Sequence, residues 1–534
     1  FKLCYIHLTI IWLSDKIIVY KYARSQLVQM EVIIVADVKS LPLINEVNKK
    51  EEKKVKVMQF GEGNFLRAFI DWIINSTNKA TDFNAGVVIV QPIEQFGRVK
   101  ELMDADGLYT LYLQGLQNGK AVREHEVIKC VQDGLNPYLA YDKYLKYAES
   151  EDLQFIISNT TEAGIAFDPN DTDLTKTPNS YPGKLLAFLK RRYETIKKGL
   201  FIIPCELIDH NGATLKEVLV KLAKHNNMDE DFINWMVKEN KFYNTLVDRI
   251  VPGYPRNDAE AFQLDLGYQD QNMVVGEIFH LWCIDAQTTE CPECAKKNLE
   301  ALKAALPTEK AGLNVLFVDS IVPYKQRKVK ILNGSHTTLV PVSYLAGIDA
   351  VKETIEDPVL GKFVKEFIFD EVIPTIDIPH DQMVAYSNSV LERYMNPYVH
   401  HLLMSIALNS SAKYKERVLP TVLQNLEKGK LPTHALFSLA ALITFYHGVR
   451  LSDGSKIDLQ DTNAWFIELL AKLWAENDGK TQEGAKAIVT AVLGLKDHWG
   501  VDLNTLNGVN EFVTKSLVAI NTMPMRDAIA AIIE

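Results

Sequence analysis

The run Lys328-Val329-Lys330-Ile331-Leu332-Asn333-Gly334-Ser335-His336 sets an amine, a carboxamide and an imidazole close together in the chain. Interconverting a secondary alcohol and a ketone needs such a set: a group that moves the hydroxyl proton, donors that hold a developing alkoxide, and a hydride acceptor nearby. If the run is a helix advancing about 100° per residue, Lys328, His336 and Asn333 fall near about 0°, 80° and 140°, so all three can face one pocket. The pair Asn333-Gly334 suits a helix start better than a helix interior. The angle expected at Lys328 therefore depends on whether the helix passes through that pair.

A hydride acceptor needs its own site, and the sequence supplies a candidate. The apolar run Val55 to Phe60 leads into Gly61-Glu62-Gly63 and then into an amphipathic stretch, Phe65 to Asn75, with Leu66, Phe69, Ile70 and Ile73 on one side. This predicts a strand, a glycine turn and a helix. Gly61 and Gly63 would let the backbone approach a pyrophosphate in front of the helix N–H groups. Leu66 replaces the third glycine of the usual fingerprint, and a tight turn without a ligand is the plain alternative. The next predicted strand, Gly86 to Gln91, is followed by Pro92-Ile93-Glu94. Glu94, with no basic residue beside the strand end, leans toward NAD over NADP.

Further strands are predicted over Tyr109 to Leu113, Glu126 to Val131, Phe155 to Asn159 and Leu200 to Leu207, with helices over Pro182 to Thr195 and Thr214 to Lys224. The alternation points to an α/β fold, an N-terminal Rossmann-like dinucleotide-binding domain with inserted antiparallel strands. From about residue 295 amphipathic runs follow one another: Asp357 to Asp370, Val390 to Leu408, Pro420 to Glu427, Ala435 to Phe445, Asn463 to Ala475 and Gly484 to Leu493. The expected organisation is an extension outside the core fold over residues 1–50, the nucleotide domain over 51–294, and a mostly α-helical substrate and catalytic domain over 295–534.

Three more groups are candidates. Asn159-Thr160-Thr161-Glu162 follows a predicted strand where ligand-facing loops belong, which puts Asn159 and Thr160 on the cofactor side; a polar loop tip is the equal alternative. Asn211, in Asp209-His210-Asn211-Gly212, offers a second amide donor, although Asn-Gly is a common turn pair. Asp248-Arg249 places a charge pair inside the apolar run Val247 to Pro252, which reads first as a buried structural ion pair.

At 534 residues the chain is long enough for two or three domains, and its net charge of -10 excludes the basic footprint of a non-specific nucleic-acid binder. Six cysteines in this length do not make a disulfide scaffold, so a reducing compartment is the simpler expectation. Cys291-Pro292-Glu293-Cys294, with Cys283 upstream, is half of a zinc spacing, and surface or packing thiols are the preferred reading over a zinc-dependent alcohol dehydrogenase. Residues 1–30 contain no apolar run of the ~20 residues that a membrane helix needs, and no clear secretory signal. They are expected to be an upstream extension, with Met30 an alternative start and an interfacial anchor the minor alternative, on a soluble cytoplasmic protein without a membrane partner. Oligomeric state leaves no signal.

In order along the chain, Gln59-Phe60-Gly61-Glu62-Gly63-Asn64-Phe65-Leu66-Arg67-Ala68-Phe69, Val247-Asp248-Arg249-Ile250 and Lys328 with Asn333-Gly334 and His336 resemble the polyol-specific long-chain dehydrogenases, the mannitol dehydrogenase family. The resemblance runs from about residue 55 to the C-terminus. It implies a metal-independent, NAD-linked oxidoreductase, and within the family the run Lys330 to Val342, followed by Leu345-Ala346-Gly347-Ile348-Asp349, resembles the members that act on a small sugar acid, with D-tagaturonate and D-altronate as the ketone and alcohol. Sibling activities on fructuronate or a neutral polyol, and a non-catalytic dinucleotide-binding regulator, are the alternatives. Carried onto matched positions, the resemblance makes Lys328 the general acid/base, Asn333 and Asn211 the oxyanion donors, and His336 a substrate-orienting or proton-relaying group. Asp248 would support them, Arg393 would lie on the substrate side, and Gly61, Gly63, Asn64 and Phe65 would meet the cofactor. A substrate carboxylate would then be held by Arg393 or Lys325. The family's Cys-Asp-Asn stretch is here Cys205-Glu206-Leu207, a departure that bears on Asn211.

Overall fold

The computed structural model describes residues 38–95, 97–161, 163–289 and 291–533, and the backbone of 6–13, 16–23 and 33–34. The chain divides into two compact units, residues 1–114 with 123–321, and residues 115–122 with 322–534.

The first unit is built on six parallel strands: Lys54–Phe60, Ala85–Val90, Val131–Leu135, Phe155–Ser158, Phe201–Pro204 and Lys241–Phe242. Numbered along the chain, they lie in the order 3-2-1-4-5-6. This is the doubly wound order whose ligand crevice opens at the carboxyl ends of strands 1 and 4, where the winding reverses. The strands read as near-continuous apolar runs because both faces are covered. Val57, Val87, Ile89, Phe155 and Ile157 enter one core, and the alternate residues Met58, Phe60, Val88, Val90 and Ile156 enter the other.

Several boundaries differ from the sequence expectation. The run predicted as one strand over Glu126 to Val131 straddles the end of Lys120–Ile128 and the start of Val131–Leu135. Residues 1–5, 14–15, 24–32 and 35–37 of the expected extension lie outside the described residues, but residues 41–48 belong to the fold. Ile44 is 2% exposed and packs with Leu108 and Tyr268, while its amide donates to the Gln269 carbonyl at 3.0 Å. The change of unit falls at 321/322, not 294/295. Helix Pro292–Ala305 buries Leu302 in the first unit's core, and Val315–Phe317 pairs with Leu281–Asp285 there. An amphipathic helix advertises an apolar face without revealing which core takes it.

The second unit is helical. Helix Thr433–Phe445 is apolar nearly all round because helices Gly334–Leu345 and Val509–Thr522 pack against it. The run predicted as one helix over Val390 to Leu408 is split into His380–Tyr394 and Leu403–Ile406. Pro397 lies in the gap, and proline steers the residue before it away from helical backbone. Among the described residues no helix is long and apolar enough to cross a membrane.

Candidate active site

Lys328, Asn333 and His336 lie on one helical run, 322–345, made of Val322–Arg327, a π-helical turn Lys328–Asn333, and Gly334–Leu345. The expected helix start at Asn333-Gly334 is not found. Asn333 (φ -76°, ψ -35°) and Gly334 (φ -65°, ψ -48°) are both helical, so the run continues through them. Close packing accounts for the glycine: a Cβ at Gly334 would stand 3.2 Å from the Arg417 carbonyl oxygen.

The π turn also replaces the expected angles. The Gly334 amide reaches back to the Val329 carbonyl, five residues earlier. In such a turn residues five apart stand about one turn above each other, where a regular α-helix separates them by roughly 140°. Lys328 and Asn333 are spaced by five and are both half-buried. His336 lies one α-turn beyond Asn333. The three groups therefore share a face by a different route from the one the sequence suggested.

His336 is 8% exposed, and its Nε2 is buried with no hydrogen-bond partner among the described residues. Its ring lies 4.4 Å from Tyr394 and 5.1 Å from His401, centroid to centroid. Burial, reinforced by His401, Arg393, Arg417 and Lys413, holds its pKa well below the usual imidazole value, so the ring is neutral. The helix is pinned here by the Tyr394 hydroxyl, 2.8 Å from both the Leu332 carbonyl and Ser335 Oγ. Arg393 is half-buried in the last turn of His380–Tyr394, and Lys325, also half-buried, has its amine pKa lowered by burial. Lys330, which the sequence reading passed over, has its pKa lowered to about 8 by burial and then by Lys428. Its Nζ bonds to Gln424 Oε1 (2.6 Å), Thr375 Oγ1 (3.1 Å) and the Thr375 carbonyl (3.2 Å), so it ties the helix to its neighbours.

In the first unit, the two glycines after the first parallel strand have different jobs. Gly61 has φ +121°, and a Cβ there would come within 3.0 Å of Leu66 and 3.1 Å of the Asn159 carbonyl oxygen. The fold itself requires glycine at that position. Gly63 has ordinary backbone (φ -64°), and a Cβ there would meet nothing within 4 Å. Its lack of a side chain keeps space open before the helical run 64–80, the approach that a diphosphate uses. Asn64 Oδ1 accepts from the buried Arg67 at 2.8 Å, and Phe65 stacks on Phe69 at 5.1 Å.

Asn159 and Thr160 lie at the carboxyl end of strand 4, beside Gly61, and their side chains are engaged in holding that end of the sheet. Asn159 Nδ2 donates to the Cys205 carbonyl at 2.9 Å. Glu206, only 2% exposed, accepts from the Thr160 amide (3.0 Å), Thr160 Oγ1 (2.9 Å) and Ser158 Oγ (3.1 Å). Burial raises its carboxyl pKa. The sequence signal for Glu206 was present: an acidic residue directly after a buried strand whose partners had to come from the neighbouring loop. Glu162 lies outside the described residues.

Asn211 does not fit the oxyanion role. It is 0% exposed; its Nδ2 lies 3.0 Å from the Glu206 carbonyl and 3.1 Å from that of Pro204, and its Oδ1 accepts from the Gly212 and Thr245 amides. A carboxamide spent on backbone groups in the interior has none to offer a substrate. Leu207, where the family pattern has asparagine, is 58% exposed. Asp248 is buried at the end of Asn244–Asp248. Neighbouring Arg249 sends its guanidinium to the Ala68, Ile278 and Phe279 carbonyls and over the Trp72 ring, a structural use. Glu94 is exposed beyond the second strand. Cys291 and Cys294, expected as separate thiols, form a disulfide with Cα atoms 5.2 Å apart, because the helix beginning at Pro292 turns them toward each other.

Comparison with known proteins agrees with this architecture. Residues 55–298 match the mannitol dehydrogenase Rossmann domain, and residues 320–521 match the mannitol dehydrogenase C-terminal domain. An altronate oxidoreductase of Phocaeicola vulgatus is 44% identical, over 92% of this chain and 99% of its own. That of Yersinia pestis is 42% identical, over 89% and 96%. Among solved structures, a D-sorbitol dehydrogenase in substrate-free form superposes with a TM-score of 0.70 at 21% identity, over 89% of this chain and 95% of that one. The Pseudomonas fluorescens mannitol 2-dehydrogenase ternary complex with NAD and D-mannitol gives 0.61 at 20% identity, over 90% and 94%. The fold thus recurs in those two structures, and similarity over nearly the whole length places this chain in the mannitol dehydrogenase family.

Proposed function

We propose that the chain is an NAD-dependent oxidoreductase that interconverts D-tagaturonate and D-altronate. The observation that carries this reading is the 44% identity, over almost the full length of both chains, to a relative named altronate oxidoreductase. The helical run 322–345 supports it by setting Lys328, Asn333 and His336 on one face.

NAD, when bound, supplies or accepts the hydride. The open space at Gly63 fits its diphosphate, with Gly61 fixing the turn and the Asn159-Thr160 end of the sheet forming the adjacent wall. Lys328 works on the proton: its ammonium gives one to the oxygen during ketone reduction, and its neutral amine takes one during alcohol oxidation. Asn333 donates its amide N–H groups to that oxygen as negative charge develops. Neutral His336 turns its otherwise unpartnered Nε2 to a substrate hydroxyl. This division of labour assigns the acid–base work to a lysine and asks nothing of a metal ion. Asn211 has no direct part in it, so Asn333 is the amide donor of the site.

The test is NADH consumption by the purified protein with D-tagaturonate, D-fructuronate and D-fructose in parallel. The reading expects tagaturonate to give the highest kcat/KM, before and after treatment with a chelator. A preference for fructuronate or fructose, or cofactor binding with no turnover of any of the three, refutes it.

A further inference from the structure

We infer that Lys413 and Arg417 form a carboxylate subsite beside His336, and that it makes the enzyme prefer a sugar acid to the neutral polyol of the same skeleton. The inference rests on the proposed reading of the substrate as a sugar acid. It goes beyond that reading by placing the selectivity on helix Ser410–Arg417, which contains none of the candidate residues named from the sequence.

Helix Ser410–Arg417 packs against both the π turn and helix Gly334–Leu345, with the backbone of Arg417 against Gly334, two residues from His336. Lys413 and Arg417 are spaced by four and so stand on one face of their helix. Both are half-buried, and both act on the His336 ring, as do Arg393 and His401. Of the described acidic groups, Asp461 acts on Lys413, and Glu416, which is exposed, acts on Arg417. Lys413 donates one hydrogen bond, to the Ile406 carbonyl at 2.8 Å, which leaves two of its three donors.

Like charges at i,i+4 cost a helix a few tenths of a kcal/mol, and gathering more cations around a buried imidazole whose Nε2 has no hydrogen-bond partner among the described residues raises that cost. An anion resolves it: a planar carboxylate matches the guanidinium fork, with the ammonium as a second donor, while the sugar hydroxyls meet His336 Nε2. A neutral polyol would leave the pair with only Asp461 and the exposed Glu416 to offset it.

Calorimetric titration of the NAD-loaded enzyme with D-altronate and with the neutral alditol D-altritol tests the assignment. The wild type should bind the acid at least about 10-fold more tightly. R417Q, and the double variant K413Q/R417Q, should bring the two ligands to within about threefold, while R417K keeps part of the preference. Retention of the wild-type preference in a folded double variant overturns the subsite, as does a wild type with no preference. Turnover of tagaturonate is scored separately. Turnover with an unshifted preference in the double variant refutes the subsite and keeps the reaction. Loss of the preference in an enzyme that turns over no ketouronate keeps the subsite and refutes the reaction.

Discussion

Glu206→Ala should both destabilise the first unit and weaken NADH binding, although the residue is nearly sealed from solvent. The carboxyl accepts from the Thr160 amide, Thr160 Oγ1 and Ser158 Oγ at 2.9–3.1 Å. An alanine loses all three contacts and strands a backbone N–H at the carboxyl end of strand 4. At about 1 kcal/mol per hydrogen bond, plus about 1–2 kcal/mol for the stranded amide, the loss is about 4–5 kcal/mol. The Thr160 tether also holds the loop that follows Asn159, whose carbonyl abuts Gly61, so the cofactor turn loosens with it. Glu206→Gln is the informative companion. Its amide oxygen can replace Oε1 for Thr160, and its N–H can donate to Ser158 Oγ, so it should cost about 1 kcal/mol. Urea unfolding followed by tryptophan fluorescence, with NADH binding measured by fluorescence titration, checks both effects. Equal losses for alanine and glutamine, or an alanine variant within about 0.5 kcal/mol of wild type, would refute the clamp.

Lys328→Ala should lower kcat by about 10²–10⁴-fold while the Kd for NADH moves less than about threefold; single-turnover kinetics showing normal hydride transfer would remove lysine from the proton step. The two glycines should separate stability from binding: Gly61→Ala, forced to φ +121° and pressed against Leu66, loses about 1–3 kcal/mol of stability. Gly63→Ala unfolds at the wild-type midpoint yet binds NADH at least about 10-fold more weakly, because its methyl enters the diphosphate approach. Buried Asp71, whose Oδ2 accepts from Tyr109 at 2.9 Å, has its pKa raised by burial from 3.8 to about 7. A folded-state pKa above the unfolded one means stability is fully present below about pH 4 and is lost as pH rises through about 7. Wild type should therefore lose on the order of 3 kcal/mol between pH 4 and pH 8 relative to Asp71→Asn; parallel stability profiles for the two proteins would show that the group does not titrate there.

The sequence by itself determined the kind of chemistry and the frame that supports it. Apolar strands alternating with amphipathic helices cover both faces of a parallel sheet in a doubly wound or barrel arrangement, and Gly61-x-Gly63 after the first strand points to the doubly wound one. An amine, an amide and an imidazole near one another announce proton transfer and oxygen stabilisation wherever they fold. Ordered motifs shared with the mannitol dehydrogenases were legible for the same reason, because residue type and spacing are properties of the chain. Packing decided the rest. Nothing local distinguishes a π turn from an α turn at Lys328–Asn333; it forms where the helix must meet its neighbours, and it brings a spacing of five into register. Asn211 reads like a donor until the interior claims its carboxamide for the backbone, and Glu206 reads like a loop acid until strand 4 delivers Ser158 and Thr160 to it. Lys413 and Arg417, about 80 residues from His336 along the chain, gain meaning only when one helix lays them against another. Local pattern specifies what each side chain can do; long-range contacts, which the pattern does not encode residue by residue, determine which of them are left free to do it.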